Sequence, residues 1–174
     1  MRPKLIMVKS FALIFLALSL TALLGAVTRA EVVNFKQLLP FVEIKLPGWS
    51  MQGKPDGTTV KQGDMMVSEA RATYRAGDKT LEVTVMDFLG KSFPFLGEGQ
   101  LVEVESSEET VRSSKVQDFK AIETYRPREH HGELNIAVAD RFWVKIEGDG
   151  IDSFEVLKTA AAQIDLKKLA GLAK

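Results

Sequence analysis

At 174 residues, with 23 basic and 23 acidic side chains and a mean hydropathy near zero, the chain is long enough for one domain with its own apolar core. It contains no cysteine, which excludes disulfides, thiolate metal sites and lipid attachment through a terminal thiol. It also contains no basic run, which argues against a nucleic-acid partner and against electrostatic attachment to anionic lipid.

Residues 1–30 have the order of parts of a secretory signal peptide. Arg2, Lys4 and Lys9 make a positive start, and the stretch from Phe11 to Val27 is uncharged and mostly apolar. Thr28-Arg29-Ala30 then places small residues at the −3 and −1 positions of a signal-peptidase site. Cleavage after Ala30 leaves a single α+β domain, 31–174. The rival reading is an uncleaved anchor. The apolar run is a little short of the about 20 residues a spanning helix wants, and the Thr-Arg-Ala end favours cleavage. The leader holds four basic residues (Arg2, Lys4, Lys9, Arg29) and no acidic one, so the rest has 19 basic against 23 acidic side chains, a net −4. The expected location is the periplasm or the exterior of a bacterial cell, with no membrane span once the leader is gone.

Along the rest of the chain, Phe35, Leu38 and Leu39 have helical spacing over 33–42, with Asn34 as cap and Pro40 as stop. Residues 46–64 are dense in Gly and Pro and read as a loop or a poorly formed first strand. Trp49 within them reads as a plug for one edge of the core, with exposed ligand stacking as the other option. Period-two alternation then begins. Met66, Ser68, Ala70, Ala72 and Tyr74 share one face of a strand over 65–75, and Leu81, Val83 and Val85 point inward from a return strand over 80–88. Ala76-Gly77-Asp78-Lys79 makes the turn. Residues 101–116 fit neither period well and read as helix or strand, with a short helix the expectation over 98–104. Three more strands follow in FKAIETY, ELNIAVA and RFWVKIEG, the last two joined by a tight hairpin at Ala139-Asp140. Gly148-Asp149-Gly150 ends them. Asp152 and Glu155 then read as a capping-box-like start to a C-terminal helix. That helix is apolar along Phe154, Leu157, Ala161 and Ile164, recapped at Asp165, and extended by Leu166, Leu169 and Leu172.

These elements predict an α+β fold: a mostly antiparallel sheet of five to six strands covered by a C-terminal amphipathic helix and a short N-terminal helix. No strand–helix–strand alternation or Gly-rich phosphate loop is present. Trp49, Tyr74 with its Gly77-Asp78 turn, Val83, Val85, Asp87, Arg141, Gly148, Asp165 and Leu169 occur in an order that resembles small exported bacterial proteins of unknown function. The element order over most of 45–174 is similar in shape to the PsbP/LpqN group, a curved antiparallel sheet flanked by helices. That group works largely as binding or assembly factors, so the resemblance implies a non-enzymatic role by fold analogy. It carries over no catalytic residue.

The only two histidines lie together in REHHGE, and this segment reads as a solvent-exposed hairpin turn between Pro127 and Gly132. Its minority reading is a metal site of His130, His131 and Glu133. Neighbouring strand residues point to opposite faces, so the two imidazoles would not readily share one ion. No cofactor is implied. Ser106, Ser107, Ser113 and Ser114 lack a nearby base and read as surface. Asp87 reads as the cap of the turn after its strand. Glu103, Glu105, Glu108 and Glu109 read as a solvated acidic face. The densest apolar stretch without a period is MDFLGKSFPFLGEG, where Phe88, Leu89, Phe93, Phe95 and Leu96 crowd between glycines and a proline. These residues read either as a satellite core or as an apolar lip. The ligand or partner contact is therefore expected at Phe88, Phe93, Phe95, Leu96 and Trp49. The function expected is that of a non-catalytic envelope domain binding an envelope protein or an apolar small molecule. The alternative is a metal-dependent hydrolase built on the His130/His131/Glu133 loop.

Overall fold

The computed structural model describes residues 31–63, 65–89 and 102–173, and Glu31–Lys174 forms one compact unit. Among the described residues there are three α-helices, α1 (Phe35–Val42), α2 (Glu155–Ala162) and α3 (Leu166–Gly171). The strands are β1 (Ser50–Met51), β2 (Asp56–Gln62), β3 (Met65–Ala76), β4 (Lys79–Asp87), β5 (Glu103–Glu105), β6 (Thr110–Val116), β7 (Phe119–Arg126), β8 (His131–Val138) and β9 (Phe142–Asp149). No helix among the described residues is long and apolar enough to cross a membrane.

All nine strands pair antiparallel in the order β1-β3-β4-β9-β8-β7-β6-β5, with β2 sharing the outer edge of β3 with β1. The sheet is thus two meanders joined where β4 meets β9. Alternation decides its faces. Ala70↔Val85, Ala72↔Val83 and Tyr74↔Leu81 stack on one face, continued by Val85↔Val144, Val83↔Ile146 and Leu134↔Ile146. Leu38, Phe41 and Val42 of α1, Leu157, Ala160 and Ala161 of α2, and Leu166 and Leu169 of α3 bury against this inner face. At about 1.5–3 kcal/mol for each large apolar side chain fully buried, this face is the main source of stability. Two glycines make room for α2. Gly132 and Gly148 are direct partners, and a Cβ on either would come 3.1 Å from the side-chain carbons of Ile151 and Leu157.

The α+β class and the antiparallel sheet are as the sequence predicts, and so are the 76–79 turn and the 139–140 hairpin. Ala139 and Asp140 both take positive φ, 52° and 49°, as the tightest hairpin turn requires. Four expectations are corrected. The sheet has nine strands rather than five to six, because 46–64 yields β1 and β2, because β5 begins within the 98–104 segment expected as helix, and because β6 follows it. Of that segment, 102–104 is described; Glu103 and Val104 are strand, with Val104 facing Val111. Pro40 does not stop α1, which runs two residues further. The hydrogen bond that proline forgoes would run to the carbonyl of Lys36, an exposed residue open to water. Asn34 does cap this helix, its Oδ1 accepting from Lys36 N at 3.1 Å. Finally, Asp152 does not cap the C-terminal helix, which begins only at Glu155. Ser153 Oγ accepts from Glu155 N at 3.2 Å, and Asp152 turns outward to pair with Lys79. Asp165 recaps as expected, its Oδ1 accepting from Lys168 N at 2.9 Å.

Candidate functional site

Of the expected contact residues, Phe93, Phe95 and Leu96 lie outside the described residues. Trp49 and Phe88 are both described, and they stand apart. Phe88 follows the last residue of β4 and meets Trp143 edge to face, with ring centroids 6.5 Å apart. Trp143 is on the outer sheet face, where its Nε1 donates to Asn135 Oδ1 at 3.0 Å. Trp49 lies beside the first residue of β4, about 30 Å away along that strand.

Trp49 is positioned by a tight turn. Gly48 takes φ +80°, and Trp49 N donates to Leu46 O at 3.1 Å. β1 then pairs Ser50 with Arg75 and Met51 with Tyr74, which sets the half-buried indole against the inner core at the end of β3. There it walls a groove of about 370 Å³ with Ala76, Lys79, Ile151, Asp152, Ser153 and Val156. The walls are mostly apolar. The rim carries the Lys79–Asp152 ion pair, in which each partner favours the charged form of the other: Lys79 titrates above its ordinary range and Asp152 below, through their hydrogen bond and then their mutual charge. Trp49 is thus both a wall of the core edge and a lining residue of an open groove.

A second cluster lies on the outer face. The turn before β8 is a 3-10 turn, Pro127–Glu129, closed by His130 in the left-handed region at φ 50°. His130 is exposed and stands 3.9 Å from Asp152. His131, expected in the same exposed turn, is instead the first residue of β8, with its side chain only 14% exposed. Its Nδ1 meets Asp149 Oδ1 at 2.8 Å, and its Nε2 lies 3.4 Å from Glu133 Oε1 and 3.8 Å from Glu147 Oε1. Glu147 replaces His130 in the set that could hold a metal: His131, Glu133 and Glu147 offer three ligand atoms all within 4.8 Å of one another. The cross-strand partner Glu147 could not be found from REHHGE alone, since it lies fourteen residues on and only the β8–β9 register brings it in. Partial burial works against the charged form of His131. The hydrogen bonds to Asp149 and Glu133 and the charges of Asp149 and Glu147 outweigh it, and His131 titrates above its ordinary value.

Several of the remaining candidates are engaged in the fold. Asp87 caps its turn as expected, accepting from Leu89 N at 3.1 Å, and does more. It is fully buried, accepts from Val33 N at 2.7 Å, and takes Nε and Nη2 of Arg141 at 3.1 and 2.8 Å. Ser106 Oγ accepts from Glu108 N and Glu109 N, and Ser113 Oγ accepts from Val102 N. Ser114 Oγ is buried without a partner among the described residues. Glu103, Glu105 and Glu108 are exposed, and Glu109 pairs with Arg126 at 3.4 Å.

Comparison of the chain with protein-family models, with curated proteins and with solved structures gives no match.

Proposed function

We propose that the chain works as an exported, non-catalytic binding domain of a bacterial envelope that takes an apolar small molecule beside Trp49. The observation that carries this reading is the groove itself. Its volume of about 370 Å³ falls within the size range of small-molecule sites. Its chemistry is a flat indole facing aliphatic walls from Ile151 and Val156, with one charged pair at the rim to hold a polar end. The order of parts in residues 1–30 supports export. The engagement of Asp87, Ser106 and Ser113 in backbone contacts supports a non-catalytic role, since none stands beside a base. The likeness in element order to the PsbP/LpqN group supports it by analogy alone.

Trp143→Phe leaves Trp49 as the sole tryptophan, and decanoate is a suitable apolar probe with a charged end. Saturable change in Trp49 emission is expected, together with its loss in Val156→Glu at an unchanged unfolding midpoint. A titration that stays linear, or one that Val156→Glu leaves untouched, removes the groove as the binding site. Capture of an envelope protein on a surface that Trp49→Ala does not affect would replace the small-molecule ligand with a protein partner.

A further inference from the structure

The outer face holds a cluster that the groove does not use. Nε2 of His131 stands 3.4 Å from Oε1 of Glu133 and 3.8 Å from Oε1 of Glu147. Around a tetrahedral zinc ion with bonds of about 2.0–2.1 Å, neighbouring ligand atoms are about 3.3–3.4 Å apart. One edge of that tetrahedron is already the right length, and a second needs a movement of about half an ångström by a half-exposed glutamate.

Three observations separate this cluster from ordinary surface ion pairing. The first is register. Glu147 is the direct cross-strand partner of Glu133 on one side and of Glu82 on the other. Like charges placed directly opposite are destabilising in a sheet, so this row of three carboxylates needs a cation. The second is the position of the cations it has, Arg71 at 3.9 Å from Glu82 and Lys145 beside the other two carboxylates. Lys145 Nζ lies 2.5 Å from Oε2 of Glu147 and 4.0 Å from Oε2 of Glu133. Those are not the oxygens that approach His131. Lys145 lowers the local charge and steadies both carboxylates while leaving each Oε1 available. The third is the back of the imidazole. Nδ1 meets Asp149 Oδ1 at 2.8 Å, which turns Nε2 toward the two glutamate oxygens, where a metal ion can take the place of the proton that Nε2 shares with Glu133. A carboxylate behind the histidine is also the usual orienting partner at zinc sites.

We infer that His131 Nε2, Glu133 Oε1 and Glu147 Oε1 form a three-ligand zinc site, with Asp149 and Lys145 as positioning residues and a fourth position left for solvent. His130 has no part in it, because the left-handed turn sends it toward Asp152.

The test uses the exported protein purified without a tag, stripped with chelator, and titrated with zinc chloride by calorimetry. Cobalt(II) serves as spectroscopic stand-in. One zinc per chain and the intense visible absorption of four-coordinate cobalt are expected. Both are lost in His131→Ala and in Glu147→Gln. Asp149→Asn weakens zinc binding by about ten- to a hundredfold, and His130→Ala binds as the unaltered protein does. Circular dichroism of each variant separates loss of a ligand from loss of the fold. If a variant unfolds, the unaltered protein still decides the matter through its stoichiometry and cobalt spectrum. Substoichiometric zinc, a pale six-coordinate cobalt spectrum, binding that survives His131→Ala, or binding abolished by His130→Ala would each overturn the site.

Discussion

The hydroxyl of Tyr74 accepts from Ile44 N at 2.8 Å and donates to Val42 O at 2.6 Å, with the ring 2% exposed. One side chain of β3 thereby holds the end of α1 against the sheet. Burial pushes its phenol upward in pKa, partly opposed by the Ile44 hydrogen bond, so the group that bonds both backbone atoms is neutral. Tyr74→Phe keeps the ring and removes both hydroxyl bonds, leaving Ile44 N and Val42 O only the 3.1 Å bond they make to each other. The expected cost is about 1–3 kcal/mol, read as a lower urea midpoint at unchanged slope. A midpoint within error of the parent would mean that water replaces the hydroxyl. Such long-range pairs are where the sequence is least legible. Tyr74 is readable as an inward residue of an alternating strand, but its partners 30 and 32 positions away are not. The same holds for Asp87, readable as a turn cap and unreadable as the partner of Arg141.

The central strands were legible because each has one apolar and one polar face: β3, β4, β7, β8 and β9 fall within a few residues of the segments read from period two. The edge strands were not, for a physical reason. β2 reads DGTTVKQ and is exposed at most positions, and β5 is exposed throughout. A strand that covers no core has no reason to alternate, so its pairing leaves no pattern. For the candidate site, Trp49 was legible as an aromatic in a loop, while the groove it lines comes from elements separated by about a hundred residues and could not be read. Gly57 offers a check on β2. A Cβ there would sit 2.5 Å from the carbonyl oxygen of Glu69 and 2.8 Å from the ring of Phe35. Gly57→Ala therefore forces β2 off β3 or Phe35 off β2, at a cost of about 1–3 kcal/mol. Faster amide exchange confined to 56–62 and to α1 is the expected signature, and uniform acceleration across the sheet would contradict it.

At the scale of the whole molecule, the elevated titration of His131 predicts how stability follows pH. Its folded pKa is raised above the unfolded value of about 6.5. Its contribution is therefore fully present below about pH 6.5 and is lost as pH rises through the folded value. With chelator present, the unaltered protein should lose its stability advantage over His131→Gln as pH rises above about 6.5, measured by urea unfolding. Parallel curves would show that the Asp149 and Glu133 contacts do not survive in solution. The junction between the two meanders has a separate consequence. β4 and β9 meet across a long interval of chain, and Asp87 and Arg141, 54 positions apart, clasp beside the end of that pairing. Until β9 arrives, β4 presents a bare row of amide and carbonyl groups along its length. Closing so long a loop is slow for entropic reasons. A nascent chain of this architecture thus passes through a half-finished stage with an adhesive strand on show, and during that interval proteases or a second nascent copy compete with β9 for the same hydrogen bonds.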